Sequence, residues 1–321
     1  MQASEIKKVT CIGAGVIGYS WALYFALKGL DVTVYDVKQE ALSLAGQRIG
    51  KSLKVLVKNG VIKNTETAVI MERITYTTSM QEAAGNAQLI IESAPEDYDI
   101  KRQIVREAED FCSENAIFAS STSGLLISEI ARNAKHPQRF IGAHPYNPPH
   151  LIPLVEISRG EKTDDAVIQT AKEFFTLIGK EPIVLQKEAL GFICNRIQMA
   201  LYREVCDLIM NGVCTVEDAD KAVTFGPGLR WGIMGPSLVF HLGGGQSGID
   251  GIMQHLKPSI DLWLKDMADF KEFPVDFGAI ARAGVEEELQ NRPAAIGNDA
   301  TSLSEYRDKM LIEMLKLHGK M

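Results

Sequence analysis

The segment Gly13-Ala14-Gly15-Val16-Ile17-Gly18 sets three glycines in the spacing G-x-G-x-x-G, and Asp36 stands eighteen residues beyond the last of them. The motif follows the β-branched run 9–12 and precedes an apolar stretch of helical character, which places it at a strand-to-helix turn. Such a turn can hold a pyrophosphate. The first glycine permits the tight bend, the second lets a ligand approach the backbone, the third lets helix and strand pack, and the positive helix N-terminus, opened here by Val16 and Ile17, faces the phosphates. Asp36 ends a second β-branched run, 32–35, where a carboxylate accepts hydrogen bonds from both hydroxyls of an adenosine ribose and repels a 2′-phosphate. NAD is therefore expected over NADP; FAD uses a similar loop and stays open on this motif alone.

Elements able to carry this turn recur along the chain. Short β-branched or apolar runs at 9–12, 32–35, 87–91, 116–119, 140–143, 154–157 and 182–185 alternate with longer helical patterns. That alternation predicts βαβ units and a mainly parallel sheet. Between the second and third runs, residues 39–73 show heptad-like apolar spacing at Leu53, Leu56 and Val57 around a central Asn59-Gly60, which predicts an inserted helical hairpin. After Leu185 the strand signals stop, and helical patterns follow at 190–212, 216–223, 249–267 and 303–317, with loop-rich stretches at 226–251 and 291–302. The fold expected is α/β: a Rossmann-type, NAD-binding domain over 1–187 with the inserted hairpin, then an all-α domain over 188–321 for substrate and dimerisation.

Composition narrows the function classes. Hydrophobic residues at 46% and charged residues at 23% match a folded globular protein rather than a disordered one. With 41 acidic against 34 basic side chains, the net charge of −7 gives no electrostatic reason to attract nucleic acid. Cys11, Cys112, Cys194, Cys206 and Cys214 form an odd set without a C-x-x-C pair, which points to a reducing, cytoplasmic setting and no metal site. Residues 9–27 carry no formal charge and could span a bilayer by length, but Gly13, Gly15 and Gly18 fit strand, turn and buried helix better. No basic segment or small-residue cleavage site precedes them, so neither a membrane span nor a signal peptide is expected.

A second constellation lies at Gly142-Ala143-His144-Pro145-Tyr146-Asn147-Pro148-Pro149, followed by Pro153-Leu154-Val155-Glu156. Together with Ser120-Ser121-Thr122-Ser123, with Gly191-Phe192-Ile193-Cys194-Asn195-Arg196, and with Glu96 and Lys101 after the run at 87–91, it resembles the 3-hydroxyacyl-CoA dehydrogenase family along essentially the whole chain. The resemblance implies a nicotinamide cofactor and loss of a hydroxyl proton as hydride leaves the same carbon. It implies His144 as the base, Glu156 as its orienting partner, and Ser123 and Asn195 as donors to the substrate oxygen, with Glu96 and Lys101 at the cofactor. An imidazole suits the task because its unperturbed pKa of about 6.5 lets it accept and return a proton near neutrality. Asn195 would come from the second domain, which puts the expected site between the two.

Within that family, Pro145 after the histidine, Ser121 where an asparagine is usual, and Phe225-Gly226-Pro227-Gly228-Leu229-Arg230-Trp231 look more like the branch that contains carnitine 3-dehydrogenase and gulonate 3-dehydrogenase, the latter related to lambda-crystallin. That branch takes free 3-hydroxy acids. Arg230 is then the candidate for a substrate carboxylate, and Tyr146, Trp231 and Phe240 offer aromatic faces to a methylated cation. Lys51, Lys54 and Lys58 lie where the acyl-CoA enzymes bind the coenzyme A nucleotide, and equally suit a solvated stripe. A short-chain 3-hydroxyacyl-CoA dehydrogenase is the enzyme alternative; a non-catalytic NAD-binding structural protein is the alternative of another class. The family suggests a homodimer through the helical domain, with 249–267 and 303–317 as apolar helices for an isologous contact.

Asp36 yields a direct test. NAD is expected to support turnover far better than NADP, and Asp36→Ser to narrow that gap; equal catalytic efficiency with both cofactors in the unmodified protein would remove the assignment.

Overall fold

The computed structural model describes residues 1–321 and divides into two compact units, one formed by Met1–Arg196 with Arg307–Met321, the other by Ile197–Tyr306. The first unit is built on eight strands, β1 (Lys8–Ile12), β2 (Asp31–Tyr35), β3 (Ile74–Thr77), β4 (Leu89–Glu92), β5 (Ile117–Ser120), β6 (Phe140–Pro145), β7 (Leu154–Arg159) and β8 (Glu181–Val184). They form one sheet in the order β3-β2-β1-β4-β5-β6-β7-β8. Every neighbouring pair is parallel except β6 and β7. The order reverses between β1 and β4, the switch point at which ligands bind beyond the carboxyl ends of the strands.

The helices of this unit are α1 (Val16–Leu27), α2 (Gln39–Lys58), α3 (Thr67–Glu72), α4 (Met80–Ala84), α5 (Tyr98–Glu109), α6 (Ile127–Ile130) and α7 (Asp165–Leu177). Helix α1 is buried nearly all round, which explains its lack of charge: Trp21 stacks on Phe25 at 5.1 Å and meets Phe175 at 5.8 Å. No helix is long and apolar enough to cross a membrane. The hairpin after β2 is α2 and α3, with Leu42, Ala45, Ile49, Leu53 and Leu56 on the buried face of α2. Strand β3, absent from the sequence expectation, is an edge strand with one buried residue in four, so no apolar run announces it.

The loop between β6 and β7 is anchored to α1 by buried polar groups. Lys180 is 2% exposed, and its ammonium donates to the carbonyls of Pro149 and of Ile152, the latter at 2.8 Å, while lying 3.9 Å from the centre of the Tyr24 ring. His150 Nδ1 meets Ser20 Oγ at 2.7 Å, and the His150 amide donates to the same oxygen at 3.0 Å. Burial, reinforced by the Lys180 and Arg307 charges, pushes the His150 ring down to about 4.

Helices α8 (Cys194–Met210), α9 (Val216–Phe225), α10 (Pro227–Trp231), α11 (Pro236–Gly243), α12 (Gly248–Asp266), α13 (Phe277–Asn291) and α14 (Ala300–Leu317) follow β8. The stretch 226–251 is not the loop that its glycine content suggests, since it contains α10 and α11. Its glycines allow close packing: a Cβ on Gly226 would lie 2.4 Å from the Ala222 carbonyl oxygen, and one on Gly228 2.5 Å from that of Val223. Helix α13, also unannounced by the pattern, has only Phe277 fully buried. The sequence expectation divides the chain at 187/188, whereas the compact units divide at Arg196/Ile197 and return the end of the chain to the first unit. Ile312 and Leu315 cluster there with Leu56 and Leu151, and Lys316 Nζ donates to the Asn59 carbonyl at 3.1 Å.

His150 sets a pH dependence. Its ring is neutral when folded but takes up a proton near 6.5 when unfolded, so stability falls as pH drops from about 6.5 towards about 4. The loss is on the order of 3 kcal/mol at most. Urea midpoints across that window should show the slope in the natural protein and a flatter one in His150→Gln.

Candidate active site

At the β1–α1 turn, Gly13 has φ +96°, and a Cβ there would sit 2.8 Å from the Ser93 carbonyl oxygen at the end of β4. A Cβ on Gly18 would overlap the Gly13 carbonyl oxygen at 1.8 Å, so the third glycine is required by helix-to-turn contact. Gly15 differs. A Cβ there would meet no protein atom within 4 Å, so its bareness leaves an open cradle at the head of α1. A groove of about 690 Å³ runs from Gly13, Ala14 and Gly15 past Asp36 to Ile100 and Ile104. The Asp36 carboxylate accepts from the Ala14 amide at 2.9 Å and the Lys38 amide at 3.0 Å, which fixes it while lone pairs remain for a ribose diol. Val16 and Ile17 form the first turn of α1 above the cradle. These residues fit a dinucleotide.

Beyond Ser93, a buried carboxylate organises the ends of β4 and β5. Glu92, fully buried, accepts from Lys101 Nζ at 2.9 Å and the Ala94 amide at 2.6 Å through one oxygen and from Ser120 Oγ at 2.6 Å through the other. Lys101 also donates to the Ala94 carbonyl at 3.2 Å and lies 3.6 Å from Glu96 Oε2. Glu96 Oε1 then accepts from Thr122 Oγ1 at 2.6 Å and from the Ser123 amide at 2.8 Å. Lys101 therefore holds the backbone beside the groove from inside the protein. Glu92 is absent from the sequence expectation, although a carboxylate closing an apolar strand nine residues before a lysine is a readable sign of an internal ion pair. Ser121 accepts from Trp21 Nε1 at 3.2 Å and from Ser93 Oγ at 3.1 Å, joining α1, β4 and β5.

The antiparallel pairing of β6 with β7 sets His144 directly opposite Glu156. Their side chains meet at 2.8 Å between Nδ1 and Oε2, with His144 6% and Glu156 0% exposed. The other oxygen of Glu156 accepts from the Ile193 amide at 2.9 Å and the Cys194 amide at 3.0 Å, at the start of α8. Burial alone would raise the Glu156 pKa; the hydrogen bonds from His144 and from the Cys194 and Ile193 amides outweigh it and hold the carboxyl below the usual range. An ionised carboxylate only accepts, so Nδ1 carries the proton, and whenever the ring is neutral Nε2 keeps the lone pair. Gly191 at φ +71° and Phe192 at φ +50° bend the chain so that these amides face Glu156, and the Phe192 ring packs 5.8 Å from the imidazole. That is backbone strain at a non-glycine residue beside a buried acid.

Ser123 and Asn195 are brought together: Asn195 Nδ2 donates to the Ser123 carbonyl at 2.7 Å, and Asn195 Oδ1 accepts from the Tyr146 hydroxyl at 3.2 Å. Asn195 belongs to the first compact unit, with His144, Glu156 and Ser123. Arg230 and Trp231 on α10 and Phe240 on α11 belong to the second, where all three are exposed. Lys51, Lys54 and Lys58 are exposed on α2, and Lys54 and Lys58 border a groove of about 460 Å³ with Asn64 and Thr67. No group of three or more His, Cys, Asp or Glu side chains is placed to hold a metal.

Known proteins bear on this geometry. Residues 8–189 match the family of the 3-hydroxyacyl-CoA dehydrogenase NAD binding domain, and residues 191–279 match that of the 3-hydroxyacyl-CoA dehydrogenase C-terminal domain. The chain belongs to the 3-hydroxyacyl-CoA dehydrogenase family. It is 36% identical to the L-carnitine dehydrogenase of Streptomyces griseus over 99% of this chain and 91% of that one, and 36% identical to that of Bacillus cereus over 100% and 95%. Among solved structures, a 5-formyl-3-hydroxy-2-methylpyridine 4-carboxylic acid 5-dehydrogenase superposes with a TM-score of 0.79 at 26% identity, over 98% of this chain and 97% of that one. The (S)-3-hydroxybutyryl-CoA dehydrogenase of Ralstonia eutropha gives 0.65 at 28%, over 80% and 89%. The protein is an NAD-dependent oxidoreductase acting on a CH–OH group.

The paired imidazole and carboxylate lead to a mutational test. His144→Ala is expected to lose on the order of a hundredfold to ten-thousandfold in turnover while NAD binding survives. Glu156→Gln should slow turnover and remove a contribution to stability that is present above the usual carboxylate range and lost as pH falls through the lower folded pKa. Near-normal turnover in His144→Ala would require another base.

Proposed function

We propose that the protein oxidises the 3-hydroxyl of a short free 3-hydroxy acid to the 3-oxo acid, with L-carnitine as the first substrate and a gulonate-like acid as the second. The observation that carries this reading is the whole-length likeness to L-carnitine dehydrogenases in a chain whose His144 and Glu156 are buried in contact. In the proposed reaction His144 Nε2 takes the hydroxyl proton, and Glu156 balances the imidazolium that results. Ser123 and Asn195 hydrogen-bond the same oxygen as negative charge develops on it. Bound NAD supplies the hydride acceptor. Gly13, Gly15 and Asp36 would hold its pyrophosphate and ribose, with Gly18 letting helix and turn pack, while Glu96 and Lys101 fix the backbone beside it.

Carnitine is a zwitterion, so its site needs a cation for the carboxylate and aromatic faces for the methylated ammonium, each such face contributing about 0.5–2 kcal/mol. Arg230, Trp231 and Phe240 are the residue types that meet those needs, and the Tyr146 ring lies edge-on to His144 at 5.4 Å. The pyridine carboxylic acid dehydrogenase is likewise named for an acid rather than a CoA ester. A specific observation keeps the acyl-CoA reading alive: the groove beside Lys54 and Lys58 could accept a nucleotide phosphate. Exposed apolar residues of the second unit, among them Ile233, Leu238, Leu262 and Trp263, favour a homodimer. The five free cysteines suit a reducing cytoplasm.

Initial rates with NAD and L-carnitine, gulonate, 3-hydroxybutyrate and 3-hydroxybutyryl-CoA decide between these. L-carnitine or a close free acid should give the highest kcat/KM, and Arg230→Ala should raise its KM. If 3-hydroxybutyryl-CoA ranks first and Lys54→Glu abolishes that advantage, the free-acid reading falls.

A further inference from the structure

Asn195 can help a reacting oxygen only if its amide faces the right way, because Nδ2 donates and Oδ1 repels a developing negative charge. The Ser123 carbonyl decides that orientation, and the Tyr146 hydroxyl holds the amide in it. The Ser123 carbonyl, an obligate acceptor, lies 2.7 Å from Nδ2, and the Tyr146 hydroxyl, which can donate, lies 3.2 Å from Oδ1. A rotated amide would set Oδ1 against the Ser123 carbonyl and Nδ2 against the Tyr146 hydroxyl, losing the first hydrogen bond to repulsion between two acceptors. One Nδ2 proton then meets Ser123, and the second is free for a ligand oxygen.

We infer that Tyr146 is a positioning residue for the reaction, locking the Asn195 amide with Nδ2 towards Ser123 and the substrate oxygen. The inference rests on the proposed role of Asn195 as a donor to that oxygen. Tyr146 is itself well placed for the task. It follows the last residue of β6, two positions after His144, and its ring meets the imidazole edge to face at 5.4 Å. The same side chain therefore spans the base and the donor. Burial above all, with the Cys194 side chain and the Glu156 carboxylate beside it, pushes the hydroxyl up to about 12, which keeps it protonated throughout the working pH range. A phenylalanine at this position would keep the ring contact and lose the hydroxyl's contacts with Asn195 and with the Cys194 thiol, so the Asn195→Ala background isolates the first of these. Sequence reasoning gave Tyr146 an aromatic face for a substrate cation; the hydroxyl has a separate use.

Tyr146→Phe tests that use. The variant keeps the core contact with His144, so NAD affinity and the shape of the pH profile of kcat/KM should match the natural protein. Turnover at saturating substrate should fall about tenfold, less than the loss of a whole donor. In an Asn195→Ala background the same change should alter kcat less than about twofold, because the group it orients is gone. A readout without turnover accompanies the kinetics: the Asn195 side-chain amide signal, identified by its loss in Asn195→Ala, should exchange faster with solvent in Tyr146→Phe. Unchanged kcat, equal losses in both backgrounds or unchanged amide exchange would overturn the inference. Faster amide exchange in a protein that oxidises no 3-hydroxy substrate would support the lock and overturn the proposed function.

Discussion

The antiparallel register of β6 against β7 is the constraint on which the site depends. In a sheet where every other neighbouring pair is parallel, this one reversal sets two positions twelve residues apart opposite each other on the same face. A parallel pair would require a long crossover and could not place a histidine and a glutamate of one short segment side by side. The pairing fixes the backbones; the charge is managed by a third element. Glu156 is fully buried, and an ionised carboxylate there would be costly without partners. The Ile193 and Cys194 amides at the start of α8 supply them, together with the His144 ring.

The same logic recurs around the sheet, where buried ionic groups fix loops rather than react. Lys101 with Glu92 holds the ends of β4 and β5, and through Glu96 the Thr122–Ser123 backbone. Lys180, fully buried on two carbonyls and two aromatic rings, holds the loop that follows β6. Burial drives the Lys180 pKa well below the ordinary lysine range, as expected for an ammonium without a carboxylate partner. For Lys101 with Glu92, desolvation offsets much of the Coulomb attraction, whereas removing one partner of a buried pair costs about 3–5 kcal/mol.

Much of this was legible in the sequence. The glycine spacing located the tight β1–α1 turn, because steric needs at Gly13 and Gly18 are local and leave a fixed signature. The alternation of apolar runs gave the α/β class. What escaped was long-range or concealed by composition. The edge strand β3 buries too little to show a run, and α10 and α11 hide in a glycine-rich stretch whose glycines permit helix contact rather than loops. The placement of Asn195 and of the end of α14 in the first unit depends on packing partners that no local pattern reveals. Likewise, nothing in the chain order signals that the Tyr146 hydroxyl meets Asn195, forty-nine residues away.

In the neutral ring, Glu156 fixes the tautomer of His144 and leaves Nε2 with a bare lone pair, as the proposed proton acceptor requires. The ¹⁵N shifts of the two imidazole nitrogens of His144, assigned by their loss in His144→Ala and recorded at a pH where the ring is neutral, test it most directly. A proton on Nδ1 and an unprotonated Nε2 are predicted, with the proton moving to a mixture of both nitrogens in Glu156→Ala. A proton resident on Nε2 in the natural protein would contradict the claim, since that nitrogen could then accept nothing from a hydroxyl.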